Sequence, residues 1–242
     1  MSRAEDGMWW YRGLHENVLA ALAGLDLPKG AKLLDAGCGT GRLLAKIGAR
    51  FPDLERAGID IDAEACTLAQ AKTGLEIARA SVQALPFADA SIAVMLSIDV
   101  LYHRAVDPYL ALVEAKRCLA PGGALIVNLP AYEWMRSAHD VAIQTGRRFT
   151  KGGVVTLLRH AGFARIEAHY WNSLLFPLMA AHRWLRRGSQ ARSDVMDFPP
   201  LLDRLFGMAL GIERGMGRMG LRLPFGGSIL AVARKASLGP ER

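Results

Sequence analysis

A short apolar run that ends in a glycine-rich turn is the feature that most constrains how this chain of 242 residues can fold. The run from Ala31 to Ala36 is followed by Gly37-Cys38-Gly39-Thr40-Gly41, and helical periodicity begins at Arg42. A buried strand, a tight turn and a helix in that order are typical of the first unit of an open α/β fold. Glycines allow a ligand to approach the backbone closely, and the start of a helix offers free N–H groups. We therefore predict a ligand site at this turn.

Strands and helices alternate with short connections through residue 130. The pattern predicts helices over Met8–Leu25, Arg42–Phe51, Ala63–Ala71 and Asp107–Leu119, and strands over Ala31–Ala36, Arg56–Ile61, Leu75–Ala80, Ser91–Ile98 and Ala124–Leu129. Such alternation favours a doubly wound, mostly parallel sheet with helices on both faces. Two later runs, Phe163–Tyr170 and Ser228–Arg234, bring the predicted strands to seven, and the residues between them are predicted to form apolar, arginine-rich helices.

Composition excludes several protein classes and divides the chain in two. With 51% apolar residues the chain can bury a full core, so global disorder is excluded. Its three cysteines are an odd number without a close pair, which argues against a disulfide scaffold or structural zinc. The net charge of +7 divides into −2 for residues 1–130 (13 bases, 15 acids) and +9 for residues 131–242 (17 bases, 8 acids). A basic half of this kind fits an anionic partner, a membrane surface or simply a solvated face.

No targeting or membrane-spanning segment is predicted. Residues Met1 to Tyr11 contain acids and two tryptophans but no apolar core of a signal peptide. The longest apolar stretch, Trp171 to Leu185, is interrupted by polar residues and is shorter than the roughly 20 residues that a span needs. We therefore expect a cytoplasmic protein, with peripheral membrane contact as an open alternative.

The glycine turn does not match two common nucleotide motifs. A dinucleotide fingerprint that starts at Gly37 requires glycine at the sixth position, where Arg42 stands. A P-loop requires Gly-x-x-x-x-Gly-Lys-Ser/Thr, and no stretch of the chain has that pattern.

Four stretches, in order along the chain, resemble the motifs of class I S-adenosylmethionine (SAM)-dependent methyltransferases of the UbiE-like (methyltransferase type 11) group. They are Leu33–Gly41, which resembles motif I; Gly58–Asp62 at the end of the second strand; Ala84–Asp89, an "LPF-x-D" stretch; and Cys118–Gly123, an "LxPGG" stretch. The resemblance implies a Rossmann-like methyltransferase fold with an N-terminal helix and a helical insertion before the last strand. It also implies SAM as cofactor and S-adenosylhomocysteine as product.

The resemblance also suggests how the chain is organised. We expect one domain over residues 1–242, in which residues 1–30 form a helical cap and residues 31–130 the SAM-binding core. Residues 131–242 would then form the acceptor side, with an insertion at about 173–224. No metal site is predicted, because only Asp99 and Tyr102 stand near the positions where some relatives carry metal-binding carboxylates.

Asp60 is the predicted ligand of the ribose. It lies 19 residues beyond Gly41 at the end of the next strand, so its carboxylate can accept both ribose hydroxyls, as in dinucleotide folds. Asp62 is predicted to cap the next helix. By resemblance, Tyr11 and Arg12 contact the SAM carboxylate, although the aromatic helix that carries them can equally be expected to pack on the sheet. The predicted cofactor-binding residues are Tyr11, Arg12, Asp35, Gly37, Gly39, Gly41, Asp60, Ile61, Ser81, Val82 and Ser97.

Three residues are the candidate catalytic groups: His103, His139 and Tyr132. His103 follows the fourth strand, where histidine recurs in the group that the chain resembles, and a histidine can act as a base near neutral pH. His139 stands beside Asp140, and Tyr132 follows the fifth strand. Arg147 or Arg148 is predicted to hold an anionic group of the acceptor.

The acceptor remains open at the level of sequence. Residues 173–224 contain eight arginines, no lysine and four acids. They can cover an apolar acceptor pocket, lie in a membrane interface or form a dimer surface. An apolar, lipid-like or aromatic small molecule, methylated on oxygen or carbon, is the leading prediction. The alternatives are an RNA methyltransferase, for which the chain has no evident RNA-binding module, and a non-catalytic SAM-binding protein.

Overall fold

A mixed seven-stranded sheet forms the centre of the molecule. The structure is a computed structural model that describes residues 8–137, 140–141, 144–185 and 199–237. The strand order is β3-β2-β1-β4-β5-β7-β6, with β1 to β5 parallel and β7 antiparallel to both of its neighbours. The strands are β1 (Lys32–Ala36), β2 (Glu55–Asp60), β3 (Ile77–Arg79), β4 (Ile92–Ile98), β5 (Leu119–Pro130), β6 (Phe163–Trp171) and β7 (Ser228–Lys235).

Helices cover both faces of this sheet. They are α1 (Trp9–Ala23), α2 (Arg42–Arg50), α3 (Ala63–Thr73), α4 (Pro108–Cys118), α5 (Lys151–His160), α6 (Phe176–Leu185) and α7 (Pro200–Arg218). Asp62 caps α3 by accepting the N–H groups of Glu64 and Ala65 at 2.8 and 3.0 Å, and Asp107 caps α4 in the same way. Both caps and the seven-stranded fold confirm the sequence prediction.

Alternating strand residues divide the core into two layers. Leu33 and Val94 face a cluster that contains buried residues of α1, α2, α3 and α7, whereas Leu34 and Met95 face a cluster with residues of α4 and α5. Because strand side chains alternate between faces, these apolar runs are buried on both sides of the sheet. The helix α7 of the insertion therefore lies on the same face as the N-terminal helix α1.

The order of the strands reverses between β1 and β4. From β1 the chain moves outward through β2 and β3, and then returns to place β4 on the other side of β1. Asp35 near the end of β1 is level with Gly58 of β2 and Leu96 of β4. Ligands of open α/β sheets bind at the carboxyl ends of the strands beside such a reversal. The predicted site residues of β1, β2 and β4 therefore meet at one edge.

Two predicted boundaries were wrong. β3 has three residues instead of the six expected from Leu75 to Ala80. The Pro121-Gly122-Gly123 stretch, predicted as a turn before the strand, lies within β5. Leu119 pairs with Ile92 and Ala124 with Val94, so the residues between bulge from the strand, and Gly122 takes a φ of +76° there.

Candidate functional site

The glycine turn is held in place by the carboxylate of Asp60. Gly37, Gly39 and Gly41 have φ values of +93°, +52° and +77°, which favour glycine. The Gly39 N–H donates to Asp60 Oδ2 at 2.8 Å, and the Asp62 N–H donates to Asp60 Oδ1 at 3.0 Å. An ionised carboxylate offers about four acceptor positions, so each oxygen of Asp60 retains capacity for a ligand hydroxyl.

Close packing also requires glycine in this turn. A Cβ atom at Gly41 would lie 2.9 Å from the Cα of Ala69 on α3, and one at Gly37 would overlap the side chain of Val100. Real Cβ atoms do not approach other carbons so closely, so the turn has no room for side chains at these two positions.

Two buried oxygens next to the turn have no hydrogen-bond partner in the described part of the chain. Asp35 is 2% exposed and Ser97 is 5% exposed, yet Asp35 Oδ1 and Ser97 Oγ are both unpaired. They stand near the ends of the neighbouring strands β1 and β4. Burial, and then the carboxylate of Asp60, raise the pKa of Asp35 to about 7. An unpaired buried polar group costs about 1–3 kcal/mol, which a bound ligand can recover.

The remaining predicted cofactor residues line the same edge beyond β2 and β3. Ile61 directly follows Asp60 and is 64% exposed, an unusual position for a large apolar side chain. Ser81 Oγ accepts the N–H of Gln83 at 3.2 Å. Val82 and Ser97 line one small cavity of about 10 Å³. These positions surround the turn with one apolar surface and several polar groups.

The two predicted residues of α1 point in different directions. The Arg12 guanidinium pairs with Asp203 of α7 at 2.5 Å, and Asp203 also accepts the N–H of Trp9 at 2.8 Å. The Tyr11 ring contacts Trp10 and lies near enough to Tyr102 to help raise the pKa of that phenol. In this structure, Arg12 ties α1 to the insertion, and Tyr11 faces the loop after β4.

A chain of polar and aromatic contacts links that loop to α1. Asp99 Oδ1 accepts a hydrogen bond from Asn128 Nδ2 at 2.8 Å, and Asn128 Oδ1 accepts one from Trp171 Nε1 at 2.8 Å. Trp171 in turn stacks on Trp10 with ring centroids 5.7 Å apart. Burial raises the pKa of Asp99 to about 7, although the Asn128 hydrogen bond opposes this shift. Near neutral pH, Asp99 can therefore accept a proton.

Asp99 is a functional candidate that the sequence prediction considered only as a weak metal ligand. Its φ of +59° is rare for a residue other than glycine, and such backbone strain clusters at functional sites. The position directly after β4 was the only signal in the sequence, because Asn128 lies 29 residues further along the chain and its own partner Trp171 another 43.

His103 and Tyr102 lie on the loop after β4. The ring centroids are 6.5 Å apart, and His103 is half-buried. The loop is held by the segment around Thr145, since the Gly146 N–H donates to the Tyr102 carbonyl at 2.8 Å. Burial, followed by the negative charge of Asp99, raises the pKa of Tyr102, so its phenol stays protonated.

Tyr132 belongs to an aromatic cluster formed by residues after β5, on β6 and on α6. Its ring lies 5.3 Å from Tyr170, 5.4 Å from Phe176 and 5.8 Å from Trp134, centroid to centroid. Burial and the hydrogen bond with Tyr170 raise the pKa of Tyr132 above its ordinary value. Tyr132 therefore stays protonated near neutral pH, which does not suit a proton acceptor. Its ring contributes to an apolar wall instead. Phe176 belongs to α6, so the insertion contributes to this cluster.

The predictions around Asp140 require a correction. Arg148 donates from Nε and Nη2 to the two oxygens of Asp140 at 2.8 and 3.0 Å, and both side chains are buried. Arg148 also donates to the Ala131 carbonyl at 3.0 Å. The prediction that Arg148 holds an acceptor anion was therefore wrong, because its guanidinium is already used within the fold. His139 lies outside the described residues.

The cofactor implied by the resemblance fits this site. SAM carries an ammonium group, two ribose hydroxyls and an adenine ring. The unpaired oxygens of Asp35 and Ser97 suit hydrogen-bond donors, the spare acceptor positions of Asp60 suit hydroxyls, and the exposed Ile61 suits a flat ring. Because glycine has no side chain, the cofactor can approach the backbone of the glycine turn closely.

Among the described residues, no group of three His, Cys, Asp or Glu side chains is placed to hold a metal ion. Within the same residues, no helix has both the length and the apolar character to cross a bilayer.

Sequence comparison relates residues 34–127 to a family model described as a methyltransferase domain. The chain is 32% identical over 151 residues to a malonyl-[acyl-carrier protein] O-methyltransferase of Dechloromonas aromatica, which covers 57% of this chain and 56% of that protein. It is 35% identical over 118 residues to the ubiquinone/menaquinone biosynthesis C-methyltransferase UbiE of Syntrophotalea carbinolica, with coverage of 45% and 48%. The chain spans about half the length of the curated relatives that it matches.

The fold is shared with solved structures. Phosphoethanolamine N-methyltransferase 2 of Haemonchus contortus, solved with S-adenosyl-L-methionine, matches with a TM-score of 0.62 and 15% identity. The match covers 94% of this chain and 53% of that one. At this identity the likeness concerns the fold alone.

Proposed function

Because the chain belongs to the class I SAM-dependent methyltransferases, in the group that includes UbiE, we propose that it transfers a methyl group from SAM to a small-molecule acceptor. The observation that carries this proposal is the pair of unpaired buried oxygens, Asp35 Oδ1 and Ser97 Oγ, beside the glycine turn. Their position at the reversal of the strand order is where such folds bind ligands.

The cofactor is proposed to be held mainly by strand ends and backbone. Asp60 accepts the ribose hydroxyls, Asp35 accepts from the ammonium group, and Ile61 packs against adenine. Ser81, Val82 and Ser97 complete the pocket, with Gly37, Gly39 and Gly41 close to the cofactor and Tyr11 at its edge. When bound, SAM supplies a methyl group on a positively charged sulfur. Arg12 is proposed to contact the cofactor carboxylate with guanidinium N–H groups other than the one that pairs with Asp203.

We assign the proton-accepting role to Asp99, with His103 as the rival. An oxygen or carbon acceptor loses a proton as it gains the methyl group, and a base with a pKa near the working pH is best suited to accept it. The Asn128 hydrogen bond holds Asp99 Oδ1, which leaves Oδ2 for the acceptor proton. The protonated phenol of Tyr102 is near enough to feel the charge of Asp99, and we propose that it donates a hydrogen bond to the acceptor.

The acceptor is proposed to be apolar, lipid-like or aromatic. The cluster of Tyr132, Trp134, Tyr170 and Phe176 offers such a molecule an aromatic surface. Residues 131–242 would form this side and residues 31–130 the cofactor side of one domain, capped by residues 1–30. Peripheral contact of residues 173–224 with a membrane would bring a lipid-like acceptor to the site.

A two-step experiment tests the proposal. First, saturating SAM should raise the melting temperature by about 5–10 °C, whereas NAD should not, since ligand at 100 times its Kd adds about 2.7 kcal/mol. Second, SAM labelled in its methyl group is incubated with the protein and a whole-cell extract. We expect label in the fraction soluble in organic solvent, and none when the protein is replaced by its Asp60→Ala variant.

Three other results would favour an alternative function or contradict the proposed cofactor. Label that nuclease removes would favour an RNA acceptor. SAM binding without any label would favour a non-catalytic binding protein. A stabilising effect of NAD in place of SAM would contradict the proposed cofactor.

A further inference from the structure

Helix α7 is apolar on two opposite sides. Its inner side packs on α1, where Phe206 contacts Trp9 with ring centroids 5.3 Å apart and Leu210 is buried beside Gly13. Its other side carries a row that we call the outer stripe: Leu201, Leu205, Met208 and Ile212. These residues follow each other at intervals of four, three and four, so they share one face, and each is between 48% and 69% exposed.

The acids of α7 are occupied by internal partners, whereas several of its arginines face outward. Asp203 binds Arg12 and the N–H of Trp9, and Glu213 accepts the N–H groups of Ser173 and Leu174 at 2.8 and 3.1 Å. Arg204 and Arg218 are exposed, as is Arg222 after the helix. The outward charge next to the outer stripe is therefore positive. An exposed apolar row flanked by arginine is typical of helices that lie in a membrane interface.

A basic cleft opens beside the outer stripe, between α1, α2 and α7. Its volume is about 500 Å³, and its lining includes Arg12, Lys46, Arg204 and Arg214, with Glu16 as the acidic member. Burial is the main cause that lowers the pKa of Lys46; the negative charge of Glu16 opposes this shift, and the positive charges of Arg42 and Arg12 add to it. A site that crowds cations in this way gains most from a bound anion.

Met208 and Arg204 connect the two features. Both residues line the cleft, and both are exposed on the outward side of α7. A molecule with an anionic head and an apolar body could therefore place the head in the cleft while its body follows the outer stripe. A phospholipid in a membrane leaflet has this shape and this charge.

We propose that the basic cleft binds the phosphate of an anionic membrane phospholipid while the outer stripe lies in the membrane interface. This inference rests on the proposed membrane contact of residues 173–224 and gives that contact a ligand. A second copy of this chain is a poorer occupant, because two outer stripes brought face to face would also bring together the arginines beside them. Nucleic acid would use the cations but would leave the four large apolar residues in water.

Vesicle flotation of the full chain tests this proposal without any methyl transfer. We expect the protein to float with vesicles of phosphatidylcholine mixed with phosphatidylglycerol, and to bind vesicles of phosphatidylcholine alone at least about tenfold more weakly. Rising salt should weaken binding to the mixed vesicles, since charges are screened beyond about 8 Å at physiological ionic strength.

Two double variants separate the parts of the site. Arg204→Gln with Arg214→Gln should weaken binding to the mixed vesicles about thirtyfold, since each cation near an anionic surface contributes about 1 kcal/mol. Leu205→Gln with Ile212→Gln should weaken binding to both kinds of vesicle. Matched controls on α4 and α5, against the other face of the sheet, are Leu110→Gln with Val113→Gln for the apolar pair and Arg159→Gln for the charge. These controls should bind as the unaltered chain does.

Three results would overturn the proposal. They are the absence of binding to the mixed vesicles, equal losses in the site variants and the controls, and a stripe-dependent dimer in light scattering without vesicle binding. Calorimetric titration with SAM accompanies every variant. Normal SAM binding with failed vesicle binding would reject this inference and leave the proposed function intact, whereas lost SAM binding would point to a damaged fold or a wrong cofactor.

Discussion

The proposed cofactor side and the proposed acceptor side of the molecule hold their polar groups in different ways. On the cofactor side, Asp60 bonds to Gly39 and Asp62, which lie 21 and 2 residues away along the chain. On the acceptor side, Asn128 bonds to Trp171 across 43 residues, and α1 reaches Asp203 across 191. The first site therefore depends on backbone conformation, which a short motif can specify. The second depends on side chains that meet only when the whole sheet has formed.

The two sides also differ in how they hold buried charged groups. The cofactor side keeps Asp35 Oδ1 and Ser97 Oγ without partners in the described chain. The acceptor side pairs its buried charges internally, as Arg148 does with Asp140. A pocket that binds one particular ligand can contain polar groups whose hydrogen-bond partners are on that ligand. In a pocket with aromatic walls, buried charges must instead be paired within the protein.

Asp99 stands where the two sides meet, and its replacement should have the largest effect. Asp99→Asn keeps a residue that tolerates the left-handed backbone but removes the proton acceptor. We expect turnover to fall by about 10²–10⁴-fold with unchanged affinity for SAM, measured by labelled methyl transfer and calorimetry. The rise of activity through about pH 7 should disappear with it. If His103→Ala abolishes that rise and Asp99→Asn does not, His103 is the base.

Breaking the buried ion pair between Arg148 and Asp140 should lower the stability of the protein without changing its affinity for SAM. Arg148→Ala leaves Asp140 charged and buried, which should cost about 3–5 kcal/mol in the free energy of unfolding by denaturant titration. Replacing both residues by alanine should cost less than replacing one. Arg147→Ala is the neighbouring control and should change stability by less than about 0.5 kcal/mol. A large loss of SAM affinity in a still-folded Arg148→Ala protein would contradict the separation of the two sides.

A substitution in the glycine turn should weaken SAM binding as well as stability. Gly41→Ala combines the left-handed backbone, at about 1–2 kcal/mol, with a clash against Ala69 that adds about 1–3 kcal/mol. We expect lower stability and weak SAM binding. Gly30→Ala is the matched control, because Gly30 has the same φ of +77° with open space around its Cβ position. If both variants lost SAM affinity equally, the strain of the left-handed backbone, and not the clash between residue 41 and Ala69, would determine binding.

The smallest predicted effect concerns Asp35 and pH. With a pKa raised to about 7, Asp35 is mostly protonated at about pH 6 and mostly ionised at about pH 8. Because the ionised form suits a cationic ligand, SAM should bind about tenfold more tightly at the higher pH in calorimetric titrations. Asp35→Asn should bind more weakly with no such dependence, whereas the exposed control Asp26→Asn should behave as the unaltered chain does.

The stability of the free protein should show the opposite trend. An acid whose pKa rises on folding contributes less stability as pH increases from its ordinary value of 3.8 toward about 7. Asp35→Asn should therefore stabilise the free protein near pH 8. His15, whose pKa burial lowers to about 4, acts in the other direction, since its contribution is regained as pH rises from about 4 to its ordinary 6.5. Melting curves of Asp35→Asn against the unaltered protein across this range isolate the Asp35 contribution.

The strands and helix caps of residues 31–130 could be predicted from the sequence for a physical reason. Short apolar runs, capping aspartates and glycine turns act through local backbone preferences, so the strands, the caps at Asp62 and Asp107 and the position of Asp60 could be predicted from neighbouring residues. The limits of β5 were harder to predict, because a bulge around Gly122 resembles a turn until its partner strand is known.

The acceptor side could not be predicted in the same way. Arg148 looked available for a ligand because nothing in the sequence shows that its side chain meets Asp140, eight residues earlier. The suitability of Asp99 as a proton acceptor depends on its burial and on the hydrogen bond from Asn128. The direction in which the Arg12 side chain points depends on its ion pair with α7. None of these contacts has a sequence signature, since each joins segments whose separation is variable and whose meeting depends on tertiary packing.

The position of β7 has a consequence for synthesis on the ribosome. β7 lies between β5 and β6 and bonds to both, although β6 precedes it in the chain. The parallel half, from β1 to β5, can assemble as soon as it leaves the ribosome, but β6 has no neighbour until residues 228–235 follow. Throughout that interval both edges of β6 and the outer edge of β5 are unpaired, so the interval is when a nascent chain of this fold most needs protection from pairing with other chains.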